Sequence, residues 1–251
     1  MTPVLAPVID ARCIAAGVFS VWLDAPAIAH RVRPGQFVNV RVSPGVDPLL
    51  RRPISVADVE RGRLRLVFRV VGRGTALLAR LRKGDALDIL GPLGKPAPVL
   101  RDRDLFVVGG GIGAAPLLFF TRGAMKANRV AAFLGAKERA QLMLRREFQS
   151  LGVPVRLATD DGSAGAHGLV TELAEPAIRS VSKPVVVACG PRPMLADLVH
   201  RLDPVPVWGF VEERMGCGTG ICYCCALPKK GCGYVRFCED GPVVRLNEVA
   251  L

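Results

Sequence analysis

Apolar positions follow two different rhythms along the chain, and the rhythm changes near residue 105. Before that point the apolar runs are short and often alternate with polar residues: 8–15, 18–23, 36–42, 54–59, 64–71 and 86–90. Gly and Pro turns separate them. Six short strands at this spacing predict a small antiparallel barrel. One stretch, 75–81, carries Leu77, Leu78 and Leu81 at helical spacing, and the Gly/Pro-rich run 91–98 reads as a linker.

From Leu105 onward strand-like and helix-like runs alternate. Strands are expected at 105–110, 130–134, 153–158, 185–190 and 207–210, with helices at 114–126, 140–150, 169–179 and 194–202. Such alternation implies right-handed crossovers and a doubly wound parallel α/β domain. Regular patterning is expected to stop after Glu213. The division expected is therefore 1–98, 99–210 and 211–251.

Half of the 251 residues are hydrophobic, enough to build a core, and the scattered Gly and Pro exclude collagen-like or low-complexity chains. The net charge of +12 raises the question of a polyanionic partner. Its distribution answers it: residues 1–104 hold 17 basic against 9 acidic side chains, whereas the last 44 residues hold 5 of each. Basic residues such as Arg61, Arg63, Arg65 and Arg69 sit in strand-like alternation without interleaved aromatics, so no nucleic acid is expected. The longest uncharged run, 105–121, is too short and too rich in Gly to span a bilayer, and no membrane role is expected. The opening MTPVLAPVIDARC lacks the basic and apolar regions of a secretory signal, which makes a reducing cytoplasm the expected compartment.

Six of the eight cysteines lie between Cys217 and Cys238. Cys217, Cys222, Cys225 and Cys238 give C-x4-C-x2-C-x12-C, the plant-type spacing for a 2Fe-2S cluster. Gly216, Gly218 and Gly220 permit the tight turns that bring backbone N–H groups to cluster sulfurs. A four-cysteine zinc site would usually show two C-x2-C knuckles, and only Cys222 and Cys225 have that spacing. A dithiol relay through that pair is a third reading, though the pair opens no helix of a βαβ unit.

Two further segments suit anionic cofactors. The turn Gly109-Gly110-Gly111-Ile112-Gly113 lies between a strand and a helix, where backbone can approach a diphosphate. It departs from G-x-G-x-x-G, and Glu138 is the nearest acidic candidate for a ribose. Cys189, Gly190 and Met194 end another strand, and Thr159 with Asp160 ends a third, so all are candidates for a nicotinamide cleft at the strand ends. Lys137 and Arg139 could instead hold an NADP 2′-phosphate. In the barrel half, Arg52 and the turn Gly72-Arg73-Gly74-Thr75 offer a cation and helix-start N–H groups for one diphosphate.

The order RPIS, GRGT, GPLG, GGGIGAAP and CGPRPM resembles the ferredoxin-reductase superfamily, whose barrel holds FAD. With RRPIS, DILGPLG, TDDGS, CGPRPM, EERMGCGTGIC and CEDGPV in this order over residues 51–243, the chain resembles the electron-transfer subunits of NAD-dependent dihydroorotate dehydrogenases. That resemblance implies an N-terminal antiparallel FAD-binding barrel, an α/β NAD-binding domain and a C-terminal 2Fe-2S segment. It assigns FAD contacts to Arg52, Pro53, Ile54, Ser55, Phe68, Arg69, Val70, Gly74 and Thr75. It assigns the cluster to Cys217, Cys222, Cys225 and Cys238. It further implies pyrimidine biosynthesis, an FMN-containing catalytic subunit as electron donor and a heterotetramer. A flavin subunit of a ferredoxin- or sulfide-linked NAD(P)H oxidoreductase is the alternative. Cys224, Cys232 and the KKGCG insert depart from the family pattern.

Overall fold

The computed structural model describes residues 2–251. Six strands, β1 (Val4–Ala15), β2 (Val18–Asp24), β3 (Phe37–Val40), β4 (Arg52–Glu60), β5 (Arg63–Arg69) and β6 (Ala86–Leu93), curl around one apolar centre, with burial alternating cleanly along β6 and continuous along β3 and most of β5. They close as β1-β2-β5-β4-β3-β6, with every ladder antiparallel. Two short helices, α1 (Pro26–Ala29) and α2 (Arg73–Leu78), decorate the barrel. The expected linker begins later than the Gly/Pro content suggests. Gly91–Leu93 completes β6, with Gly91 and Leu93 buried, and a Cβ on Gly91 would stand 2.7 Å from a Val38 methyl.

The second half is a parallel sheet. Its strands are β7 (Asp104–Gly110), β8 (Arg129–Ala136), β9 (Val155–Thr159), β10 (Ala166–His167), β11 (Pro184–Cys189) and β12 (Val207–Phe210). Helices α3 (Ala114–Ala124), α4 (Arg145–Ser150), α5 (Val170–Arg179) and α6 (Arg192–Leu202) cover both faces. The side chains of β7 alternate: Phe106 and Val108 pack with α5 and α6, Leu105 and Val107 with α3 and α4. The expected helix 140–150 is only its last six residues. Leu144 adopts φ +59° just before α4, and Met143 and Leu144 turn into the core instead of extending the helix.

Regular structure continues past Glu213, contrary to expectation. β13 (Ala226–Pro228) and β14 (Tyr234–Arg236) form a hairpin, and β15 (Val243–Arg245) adds an antiparallel edge beside β12. The large sheet therefore runs β10-β9-β8-β7-β11-β12-β15. Strand order reverses between β7 and β11, which leaves a crevice at their carboxyl ends. Barrel and sheet meet along α3, where Arg122 pairs with Asp58 of β4 at 2.7 Å, and along α4, where Glu147 pairs with Arg65 of β5 at 3.4 Å.

Candidate functional site

The crevice is a cavity of about 740 Å³. Its floor is the turn after β7: Gly110, then Gly111 at φ +54°, then Gly113 opening α3. Only glycine fits at Gly113, because a Cβ there would collide with the Cys189 carbonyl. A Cβ on Gly110 would stand 2.6 Å from Met194 Sδ. Cys189, Gly190 and Met194 form the opposite wall, and Asp160 closes a third side. Two of the expected cleft residues stand behind this surface. Gly109 lies flat against Ala114, Leu117 and Leu134, and the buried Thr159 hydroxyl donates to the Ala164 carbonyl at 3.0 Å, shaping the turn that presents Asp160.

Charges around the cavity sort into those held elsewhere and those left facing it. Arg139 turns away, donating from Nε to the Ser163 carbonyl at 3.0 Å, and Glu138 accepts from Gln141 Nε2 at 3.1 Å. Lys137 and Asp160 line the cavity. Burial pushes the Cys189 thiol well above its usual range, and the carboxylate of Glu212 adds to the effect, so Cys189 is a neutral thiol. Glu212 lines the same cavity, its own carboxyl raised by desolvation. Sequence reasoning passed over it, although it follows the end of β12 by two residues, where strand-end rules would look.

Arg69 joins the two halves. It ends β5 in the barrel, yet it lines the cavity, and its guanidinium lies 3.6 Å from where a Cβ on Gly111 would stand. Its Nε is buried with no hydrogen-bond partner among the described residues. A buried cationic donor without an acceptor calls for an anion, and a dinucleotide diphosphate fits that need.

On the barrel, the two neighbouring arginines have separate tasks. Arg51 makes a bidentate pair with Asp88, at 2.9 Å on both oxygens, and is structural. Arg52 lies across Gly74 so closely that a Cβ there would overlap its guanidinium. The strand carrying Arg52, Pro53, Ile54 and Ser55 thus meets the start of α2. Thr75 fixes that start: its hydroxyl donates to the Gly72 carbonyl at 3.0 Å and accepts the Val71 N–H at 2.9 Å. Phe68 is buried and stacked on Phe19, and Val70 donates its N–H to the Gly17 carbonyl at 2.8 Å. A cation lying over a helix start that Thr75 holds in place suits a second diphosphate cofactor.

The four spaced cysteines form two pairs. The N–H groups of Cys217 and Cys222 each donate to the other's sulfur at 3.4 Å, and the Cys238 N–H donates to Cys225 Sγ at 3.4 Å. Gly220, between the first two cysteines, donates its N–H to Cys238 Sγ at 3.1 Å and so ties the pairs together. Burial opposes ionisation of Cys217, but the N–H groups of Thr219 and Cys222 outweigh it and bring that thiol down to about 6. Burial and the adjacent Cys225 thiol push Cys238 up to about 12. Among the described residues no three His, Cys, Asp or Glu side chains surround a single metal position. Two thiol pairs suit two irons sharing sulfide bridges better than one tetrahedral zinc. Asn39 of β3, unflagged in the sequence, donates from Nδ2 to the Cys217 carbonyl at 3.2 Å and fastens the thiol loop to the barrel. Cys13, Cys224 and Cys232 are exposed and lie outside the pairs.

A closed flavin-type barrel, a nucleotide crevice at a sheet reversal and a paired-thiol segment together define an iron–sulfur flavoprotein reductase. Comparison with known proteins narrows this. The oxidoreductase FAD-binding domain matches residues 10–97, and the iron-sulfur cluster binding domain of dihydroorotate dehydrogenase B matches residues 212–250. The electron transfer subunit of dihydroorotate dehydrogenase B (NAD(+)) from Geobacillus kaustophilus is 40% identical over 96% of this chain and 95% of its own length. The corresponding subunit from Bacillus caldolyticus is 41% identical over 96% and 95%. The chain belongs to this family of electron transfer subunits. Its fold also superposes, with a TM-score of 0.90 and 32% identity, on a chain of an NADH-dependent reduced ferredoxin-NADP oxidoreductase, covering 98% of this chain and 90% of that one.

Proposed function

We propose that this chain receives electrons from an FMN-containing catalytic subunit that oxidises dihydroorotate to orotate and delivers them to NAD+, as a step of pyrimidine biosynthesis in the cytoplasm. The observation that supports this reading is the pair of linked thiol pairs fastened by Asn39 to the barrel, since a cluster held by those thiols would lie beside the strand that pairs with Arg52 and Pro53. Bound to these sites, a 2Fe-2S cluster would pass electrons singly, and FAD would exchange them in pairs with a nicotinamide. Cys217, Cys222, Cys225 and Cys238 would hold the cluster, and Arg52, Gly74 and Thr75 the FAD diphosphate. The Gly110–Gly113 turn would hold the dinucleotide diphosphate, and Arg69, which the family resemblance gives to FAD, also lines this cavity and would stand between the two cofactors. Asp160 and Lys137 both line the nucleotide cavity, and the choice of NAD over NADP rests on the likeness to NAD(+)-linked relatives.

Overall, dihydroorotate gives up two electrons and two protons, while NAD+ takes two electrons and one proton and the second proton is released. In this reading dihydroorotate is oxidised on the partner, so work divides between subunits, in an assembly proposed to be a heterotetramer. Within the chain the tasks fall to residues 1–98, 99–210 and 211–251. No helix among the described residues is long and apolar enough to cross a membrane. The test is to assay the purified chain alone and with its partner. Alone it should oxidise NADH with dyes and leave dihydroorotate untouched; orotate produced by this chain alone would overturn the proposal. The likeness to the ferredoxin-NADP oxidoreductase chain supports a second reading, a ferredoxin-linked NAD(P)H oxidoreductase subunit. Co-purification of a larger iron–sulfur flavoprotein, with no FMN protein, would favour that one.

A further inference from the structure

The segment around the thiols has little regular structure, since β13, β14 and β15 are three residues each. One side chain ties it together. Arg236, on β14, donates from Nη1 to the Gly220 carbonyl at 3.2 Å and pairs with Glu239 at 2.9 Å. Its backbone N–H and its Nε reach Asp240 Oδ2 at 3.0 and 3.4 Å, and its guanidinium lies 5.4 Å from the centre of the Tyr223 ring. Each of these contacts falls on a different part of the thiol loop. Gly220 lies between Cys217 and Cys222, Tyr223 directly follows Cys222, and Glu239 directly follows Cys238. Gly220 sits at φ +82° with Glu239 packed where a Cβ would be, so its carbonyl faces Arg236 while its N–H faces Cys238 Sγ.

We infer that Arg236 is a positioning residue for the iron–sulfur centre: it fixes the loop that carries the thiols and sets the potential at which the centre accepts its electron. The inference rests on the cluster reading above. Reduction adds one negative charge, which a nearby cation favours, and N–H groups aimed at the sulfurs act in the same direction. Removing Arg236 leaves Glu239 and Asp240 without their main cation, Lys95 being 3.8 Å from Asp240. It also frees the Gly220 peptide that donates to Cys238. Both changes lower the potential.

The experiment is a redox titration of the holoprotein, followed by electron paramagnetic resonance, with iron, sulfide and flavin counts on each variant. Arg236→Gln should shift the reduced-to-oxidised ratio at fixed potential about tenfold toward oxidised, a fall of about 59 mV for one electron. It should also broaden the signal of the reduced centre. Arg236→Lys should recover most of the potential, and Glu239→Gln should move it upward. A native potential and signal in Arg236→Gln would overturn the inference. Should that variant hold no iron, Glu239→Gln decides: an upward shift supports the inference and an unchanged potential overturns it. Native protein without iron and sulfide would overturn the cluster reading itself, and this inference with it.

Discussion

The nucleotide cleft and the thiol segment are built on opposite principles. The cleft lies at the ends of five parallel strands between α3 and α6, and close packing at its glycines gives it shape: Gly113 against the Cys189 backbone, Gly110 and Gly190 against the Met194 side chain. The thiol segment has short strands and takes its shape from N–H groups aimed at four sulfurs and from a few side chains, Arg236 and Asn39 first among them. A cleft made of regular elements exists before its ligand arrives. A loop organised around sulfurs is completed by the metal that binds them, so there binding energy is also folding energy.

The largest expected effect breaks one region and spares the other. Cys225→Ser removes a buried thiol that accepts the Cys238 N–H, and it should abolish the 2Fe-2S bands and open the segment to proteolysis. Flavin should stay bound, and NADH should still reduce it. Iron, sulfide and flavin counts check this; joint loss of iron and flavin would erase the distinction between the regions. The converse variant is Gly113→Ala. A methyl there meets backbone rather than a movable side chain, so the end of β11 must separate from α3, at about 2–3 kcal/mol of stability. The Michaelis constant for NADH should rise roughly tenfold, equivalent to about 1.4 kcal/mol of lost binding. The iron content should not change, which melting curves and iron counts on one preparation would establish.

How much was legible in advance follows the same divide. The change of apolar period near Leu105 located barrel and sheet, because burial on strands and helices leaves a local periodic trace. Four thiols at ligand spacing were legible because cluster geometry constrains neighbours in sequence. Long-range contacts leave no such trace. Nothing near Asn39 says that it reaches Cys217, and nothing in RRP says that Arg51 is spent on Asp88 while Arg52 faces Gly74. Thr159 looked like a cofactor contact because it ends a strand together with Asp160; Asp160 does line the cavity, yet strand alternation points Thr159 inward. The helix expected over 140–150 failed because Met143 and Leu144 gain more from burial than from helical hydrogen bonds, and β15 was hidden because its partner β12 lies more than thirty residues earlier.

The smallest expected effect concerns the seam that holds barrel to sheet and thereby places Arg69 over the nucleotide turn. Asp58 has a side chain only 5% exposed, and Arg122 reaches it from α3 with 45% exposure. Burial raises the Asp58 carboxyl above its ordinary 3.8, with Arg122 and the Val59 N–H opposing the rise. A carboxyl raised by folding favours its protonated form in the native state, so the cost of burying its charge is full at neutral pH and fades as pH falls through the native value. Arg122→Ala should therefore cost about 1–2 kcal/mol at pH 7, between the exposed-pair and buried-pair limits. The deficit should shrink toward pH 5, because Asp58 without its partner takes up a proton more readily. Asp58→Asn, which carries no charge, should show a flatter dependence, and a deficit in Arg122→Ala independent of pH would contradict the account. Neither variant touches residues 212–250, so the iron signal should stay constant while the melting temperature of the barrel and sheet falls, separating the seam from the thiol segment in one titration.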